Sequence, residues 1–281
     1  MLSTSGPQRA TEGGGVIIWM DLSTISGLGV ALVALVVSLY MDGGTLASLW
    51  KASAFILIMG GTVGATMIAY PMEEIATLPK LIGQTFKKQD LGAIKVIDRI
   101  VSLVEKARRE GLLTLQNEIS DQDDAFLVRG IELVVDGTDP QAVRSIMETD
   151  IAFMEKRHKA GASILETAGG FAPTMGIIGT VIGLVHVLSN LSTPDKMAES
   201  IAVAFLATFY GIFTANIFWL PLAGKLKAKS QGEVLLRELI LEGVLSLQAG
   251  ESPRIVREKL EVFLPPRLKA TQPKAEKGGE E

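Results

Sequence analysis

The chain has 281 residues, 48% of them hydrophobic and 21% charged, with a mean hydropathy of +0.34 and a net charge of −4. It is too apolar for an ordinary soluble domain of this size and too charged to lie wholly in a bilayer, so a membrane protein with a substantial aqueous part is expected. There is no global basic footprint for nucleic acid, no cysteine for a disulfide or thiolate metal site, and no ligand spacing around the two histidines, His158 and His186.

Residues 1–21 read as neither a span nor a signal peptide: Arg9, Glu12 and a GGG run precede only VIIW and Met20 before Asp21. The regular pattern begins at Met20-Asp21-Leu22. Met20 is either the physiological start, with a gene-start error upstream, or the segment is a true N-terminal extension. Four charge-free windows then follow, between Asp21 and Asp42, Lys51 and Glu73, Glu166 and Asp195, and Glu199 and Lys225. Each can cross a hydrocarbon core as a helix of about 20 residues. The expected layout is spans one and two in 22–72, an aqueous helical domain in 73–166, spans three and four in 167–224, helices in 225–268 and a disordered tail in 269–281. The fold class is an all-α integral membrane protein.

Short loops join spans one and two, around Asp42-Gly43-Gly44, and spans three and four, through LSTPDKMAES. Of the 27 Lys and Arg residues, the long middle segment holds 13 and the tail 11. The positive-inside rule places these parts and both termini in the cytoplasm. The middle segment reads as helical. Ile94, Ile97, Val101 and Val104 recur at helical spacing up to Gly111, and Asp123–Asp136 is a second amphipathic run. Asp139-Pro140 starts a third helix, expected to continue into span three. In the tail, Lys225–Ala249 is amphipathic, and Ser252-Pro253 starts a last helix that stops at Pro265-Pro266.

No span contains Asp, Glu, Lys or Arg, although an ion carrier usually keeps such a group near the midplane. His186 lies toward the outer end of span three and reads as interfacial, so a carrier carboxylate would have to come from a partner. The spans offer small residues and hydroxyls instead. Gly176, Thr180 and Gly183 share one face of span three; Ala204, Thr208, Gly211 and Ala215 share one face of span four. The glycines suit close helix packing. Thr180 and Thr208 suit it less well, since alanine would pack there too, and a hydroxyl can line a hydrated path, coordinate a cation or bond a partner's side chain. Pro173 and Pro221 sit at the cytoplasmic ends of their spans, as hinges or as simple bends. No phosphate loop, nucleophile–base pair or metal spacing suggests an enzyme, and no catalytic or metal-binding residue is assigned.

The two hairpins, the large insert, GFAPTMGIIGTVIGLVHVL, AVAFLATFYGIFTANIFWLPLAGKLK and the tail ELILEGVLSLQAGESPRIVREKLEVFLPP resemble the A subunit of the bacterial flagellar motor stator, the MotA/PomA family within the MotA/TolQ/ExbB superfamily. The resemblance covers Met20 to Leu268. It implies a homopentamer in the bacterial inner membrane around a dimer of a single-span MotB/PomB-type partner, which carries the ion-binding aspartate and anchors to peptidoglycan. The small-residue faces of spans three and four would then surround the partner's helices. Ion flow would drive rotation, and the insert would push on the rotor's switch-complex protein.

By this resemblance Pro173 and Pro221 match the family's functional prolines, and Thr208 the span-four hydroxyl near the ion. Thr180 stands where sodium-type members carry threonine, which favours sodium over protons as the transported ion; no other cofactor is implied. EKARREGLLTLQNEI resembles the torque motif, with Arg108 its key arginine and Arg109 beside it. The acidic partner position holds Gln116, for which Glu118 could substitute. The alternative is an ExbB/TolQ-type energiser of outer-membrane processes. That type usually has three spans and an outside N-terminus.

Overall fold

A computed structural model describes residues 21–89, 91–120 and 123–266. The expectations for the N-terminal segment before Asp21 and for the tail after Leu268 lie outside the described residues. Among those residues the chain is helical throughout, with no strand. The helices are α1 (Leu22–Met41), α2 (Ala52–Ala69), α3 (Met72–Ile75), α4 (Leu78–Phe86), α5 (Ala93–Glu110), α6 (Ala125–Val135), α7 (Pro140–Ser189), α8 (Pro194–Thr214), α9 (Leu220–Gln248) and α10 (Pro253–Glu261). Short 3₁₀ turns cover Leu46–Leu49 and Leu112–Asn117, and a π-helical turn, Ala215–Trp219, joins α8 to α9. Four helices are long and apolar enough to cross a membrane: α1, α2, α7 and the α8–α9 rod.

The expected helix from Pro140 into span three is present as α7, 50 residues without a break. Asp139 caps it, its carboxylate accepting from Gln141 N at 2.9 Å, and Pro140 fills the first turn, where its missing N–H costs nothing. The loop after α7 is shorter than the LSTPDKMAES stretch suggested. Pro194 starts α8 at once, so Asp195, Lys196 and Glu199 lie on a helix. Aspartate in this first turn complements the positive helix end.

The chain forms two compact units, and α7 and α9 contribute residues to both. The first comprises the chain up to Gln89 with Lys159–Lys227. Its cores are one cluster around Leu165, Ala168, Ala172, Trp219 and Ala223, and another around Ala54, Ile58, Ala207 and Tyr210. Helix α2 buries Ala54, Ile58, Thr62 and Thr66, a residue every fourth position, which is one helical stripe. Helix α1 buries none of its residues within this chain. Its apolar surface is left for lipid or for other chains.

The second unit comprises the segment up to His158 and the chain from Ala228. Its core draws Ile97, Ile100 and Val104 from α5, Leu127 and Ile131 from α6, Val143 and Met147 from α7, Leu239, Ile240 and Val244 from α9, and Val256 and Leu260 from α10. The 3.6-residue spacing read from the sequence is therefore the core face. Full burial of each large side chain contributes about 1.5–3 kcal/mol before chain entropy is subtracted. Asp124 caps α6 through Phe126 N and Leu127 N, and Ser252 caps α10 through Ile255 N. Gly111, at φ +91°, ends α5 in a conformation that side-chain-bearing residues avoid.

Candidate functional site

The seam between α7 and α8 is built by missing side chains. A Cβ on Gly183 would lie 2.5 Å from Ala204 Cβ, one on Gly179 2.5 Å from Ala207 Cβ, and one on Gly211 2.5 Å from the Ala172 carbonyl oxygen. Only glycine allows these backbones so close, as in small-residue packing of membrane helices. Within the chain, the small-residue faces thus pack on each other. The faces left open carry Ile177, Val181, Val185 and Leu188 on α7, and Phe205 and Ile212 on α8.

In this seam Thr180 and Thr208 come together. The Thr180 hydroxyl lies 3.1 Å from the Gly176 carbonyl and 3.2 Å from the Ala204 carbonyl, and it is hydrogen-bonded to the Thr208 hydroxyl. Both threonines are half-buried. Four oxygens therefore share two hydroxyl protons. The cluster is rich in lone pairs, a donor set for a hard cation or for a proton-bearing water.

Pro173 lies inside α7 and is half-buried, and the helix continues through it. Pro221 is exposed and stands one residue beyond Leu220, the cap of the π-helical turn, whose N–H reaches back five residues to the Ala215 carbonyl. The proline has no N–H for the Ile217 carbonyl, so the α ladder is interrupted there. Asn216 bonds the Ile212 carbonyl with its side-chain amide at 2.9 Å. Such turns recur at functional sites in helices. The sequence reading missed this one; Pro221, four residues after Ile217, was its signal.

Tyr210 was also missed. Its ring is buried, and its hydroxyl donates to the Leu49 carbonyl and accepts from Lys51 N at 3.0 Å. Lys51 pairs in turn with Glu199 at 2.6 Å. It is the single tyrosine of span four, which marked it in the sequence. His186 is exposed in the last turn of α7, in keeping with an interfacial residue.

The charged candidates sit at the end of α5 and on the turn after it. Arg108 is exposed and makes no ion pair among the described residues; Arg109 is exposed beside Glu105 at 3.6 Å. Gln116 is exposed. Glu118 is engaged: it pairs with Lys106 at 2.5 Å, and its carbonyl accepts from Arg99 at 2.6 Å. The bond that Lys106 donates to the Glu118 carboxylate raises the Lys106 pKa. Arg99 also grips Asp123 with two bonds, at 2.8 and 2.9 Å, which holds the Asp123 carboxyl below its ordinary range. The structure therefore leaves Arg108, Arg109 and Gln116 open and ties Glu118 into the turn.

The N-terminal profile of motility protein A matches residues 25–111, and that of the MotA/TolQ/ExbB proton channel family matches residues 118–239. Motility protein A of Bacillus subtilis is 42% identical over 92% of this chain and 97% of its own length. Chemotaxis protein PomA of Vibrio alginolyticus is 33% identical over 87% of this chain and 96% of its own. Among solved structures, the flagellar MotAB stator complex from Bacillus subtilis superposes with a TM-score of 0.84 at 41% identity, covering 90% of this chain and all of that one. With the threonine seam lying between two of four membrane-length helices, these likenesses establish that the chain belongs to the MotA/TolQ/ExbB family.

Proposed function

We propose that the chain is the A subunit of a flagellar motor stator in the bacterial inner membrane, with both termini cytoplasmic. Five copies surround a peptidoglycan-anchored single-span partner dimer. Inward ion flow, of sodium in preference to protons, is coupled to torque on the rotor. One observation carries this reading: the lone-pair-rich Thr180–Thr208 cluster lies in a set of spans that has no carboxylate of its own. Such a seam can hand an ion to or from an acid but cannot replace one, so the aspartate belongs to the partner. The solved relative is a complex of MotA with MotB, which fits that division. Pro173 and the Pro221 turn are the hinges that transmit the ion-driven step. Arg108, Arg109 and Gln116 form the rotor-facing surface, with Glu118 shaping the turn from within.

Deletion of the gene, with swimming scored in sodium-rich and sodium-free media before and after restoring the chain, tests this. Flagellated but paralysed cells rescued only in sodium are expected. Rescue in both media reassigns the ion to protons. Loss of energised outer-membrane uptake with swimming intact replaces the stator by an energiser.

A further inference from the structure

Within the first unit a cavity of about 380 Å³ separates α1 from the π-helical turn. Gly27, Leu28 and Ala31 line one wall; Asn216, Ile217 and Pro221 line the other. A Cβ on Gly27 would meet nothing within 4 Å, so this wall is open space. One end of the gap is pinned. Lys225 Nζ lies 2.5 Å from Asp21 Oδ2 and 3.1 Å from Ser23 Oγ. The same carboxylate accepts from Ser23 N at 3.1 Å, capping α1, and Asp21 N donates to the Phe86 carbonyl at 2.8 Å. Bonds from Lys225 and Ser23 hold the Asp21 carboxyl well below the usual carboxylate range, so it is ionised at neutral pH.

A helix bends where its ladder is broken, and it bends usefully only if it has space and a fixed point. Here the broken ladder is the π turn with Pro221, the space is the cavity, and the fixed point lies one turn beyond the proline, at Lys225. We propose that Asp21 and Lys225 are positioning residues that pivot the Pro221 hinge on the start of α1, and that the gap is the room into which the π turn swings during the ion-driven step. The inference rests on the stator reading for the step itself, and on the geometry for the pivot and the gap.

The full chain, co-expressed with its single-span partner in cells lacking the gene, provides the test. Gly27→Phe fills the gap from the α1 side. The complex should assemble in normal amounts while swimming speed falls several-fold, and Ile217→Ala on the opposite wall should restore much of it. Ala31→Phe repeats the fill from the next turn and decides the matter if Gly27→Phe does not accumulate. Asp21→Lys and Lys225→Asp should each slow swimming, and the charge-swapped double variant should recover. Normal swimming by the fill variants overturns the proposal, as does a loss that Ile217→Ala fails to relieve or a charge swap that fails to recover. A readout independent of motility uses the cysteine-free background. In membranes treated with a fixed dose of added copper–phenanthroline, which takes the two electrons, a Leu28→Cys/Ile217→Cys pair should form its disulfide faster under an imposed ion gradient than without one. Equal rates overturn the moving gap, whereas a wild-type chain that cannot restore swimming counts against the stator reading alone.

Discussion

Thr180 and Thr208 each carry a single proton into a cluster of four oxygens, so their chemistry cannot be copied by an apolar residue of similar size. Thr208→Ala is expected to leave assembly intact, since alanines already pack along the same seam, and to slow swimming most at low ion concentration. Thr208→Ser, which keeps the hydroxyl, should retain most of the speed. Unchanged swimming of the alanine variant at limiting ion would remove the threonine from the path. Asp123 offers a contrasting case, in which charge supports fold. Its folded pKa lies below its unfolded one, so the Arg99 pair contributes fully above the ordinary carboxylate range and is lost as pH falls through the lowered value. A hydrogen-bonded charge of this kind contributes about 1.5–3 kcal/mol. Asp123→Asn should therefore speed amide exchange in α5 at neutral pH by about ten- to a hundred-fold. The difference from wild type should shrink as the pH is taken below 4. A difference that persists undiminished in acid would show that the carboxylate's ionisation is not its source.

At the scale of elements, the α7–α8 seam is set by absent atoms. Gly211→Ala would place a methyl 2.5 Å from the Ala172 carbonyl oxygen, a backbone atom that cannot swing aside. Overpacking of this kind typically costs about 1–3 kcal/mol. The detergent-solubilised complex should melt several degrees lower, whereas Gly170→Ala, where a Cβ meets nothing within 4 Å, should melt as wild type. Equal melting of the two would mean the seam relaxes without strain. The π-helical turn is the counterpart of this rigidity. It interrupts the ladder a single turn after Tyr210 and Gly211 have packed α8 against its neighbours, at the position proposed above as a hinge.

For the whole molecule, the two units carry different candidate residues. The membrane-length helices of the first carry the oxygen cluster, and the second presents Arg108 as an exposed cation with no ion pair among the described residues. Arg108→Glu should cut swimming under viscous load several-fold while ion flux through the unplugged complex stays normal. Full speed under load would reduce Arg108 to a solvated helix end.

The sequence by itself determined the fold class, the four spans and the unbroken run from Pro140 into span three. Those features rest on hydropathy and on local rules: charge-free windows of membrane length, a proline after a capping aspartate, and an apolar stripe at helical spacing. Thr180 and Thr208 likewise stood out in the sequence as hydroxyls on small-residue faces, where alanine would also pack. Which faces meet was decided only by the tertiary structure. Residues 28 positions apart touch because glycines let two helices approach, and helical periodicity shows that a face is small without saying what covers it. The engagement of Glu118 by Lys106, the clamp of Lys225 on Asp21 and the empty wall at Gly27 belong to the same class. Each is a relation between distant segments, fixed by packing and charge pairing in three dimensions, and no local pattern encodes it.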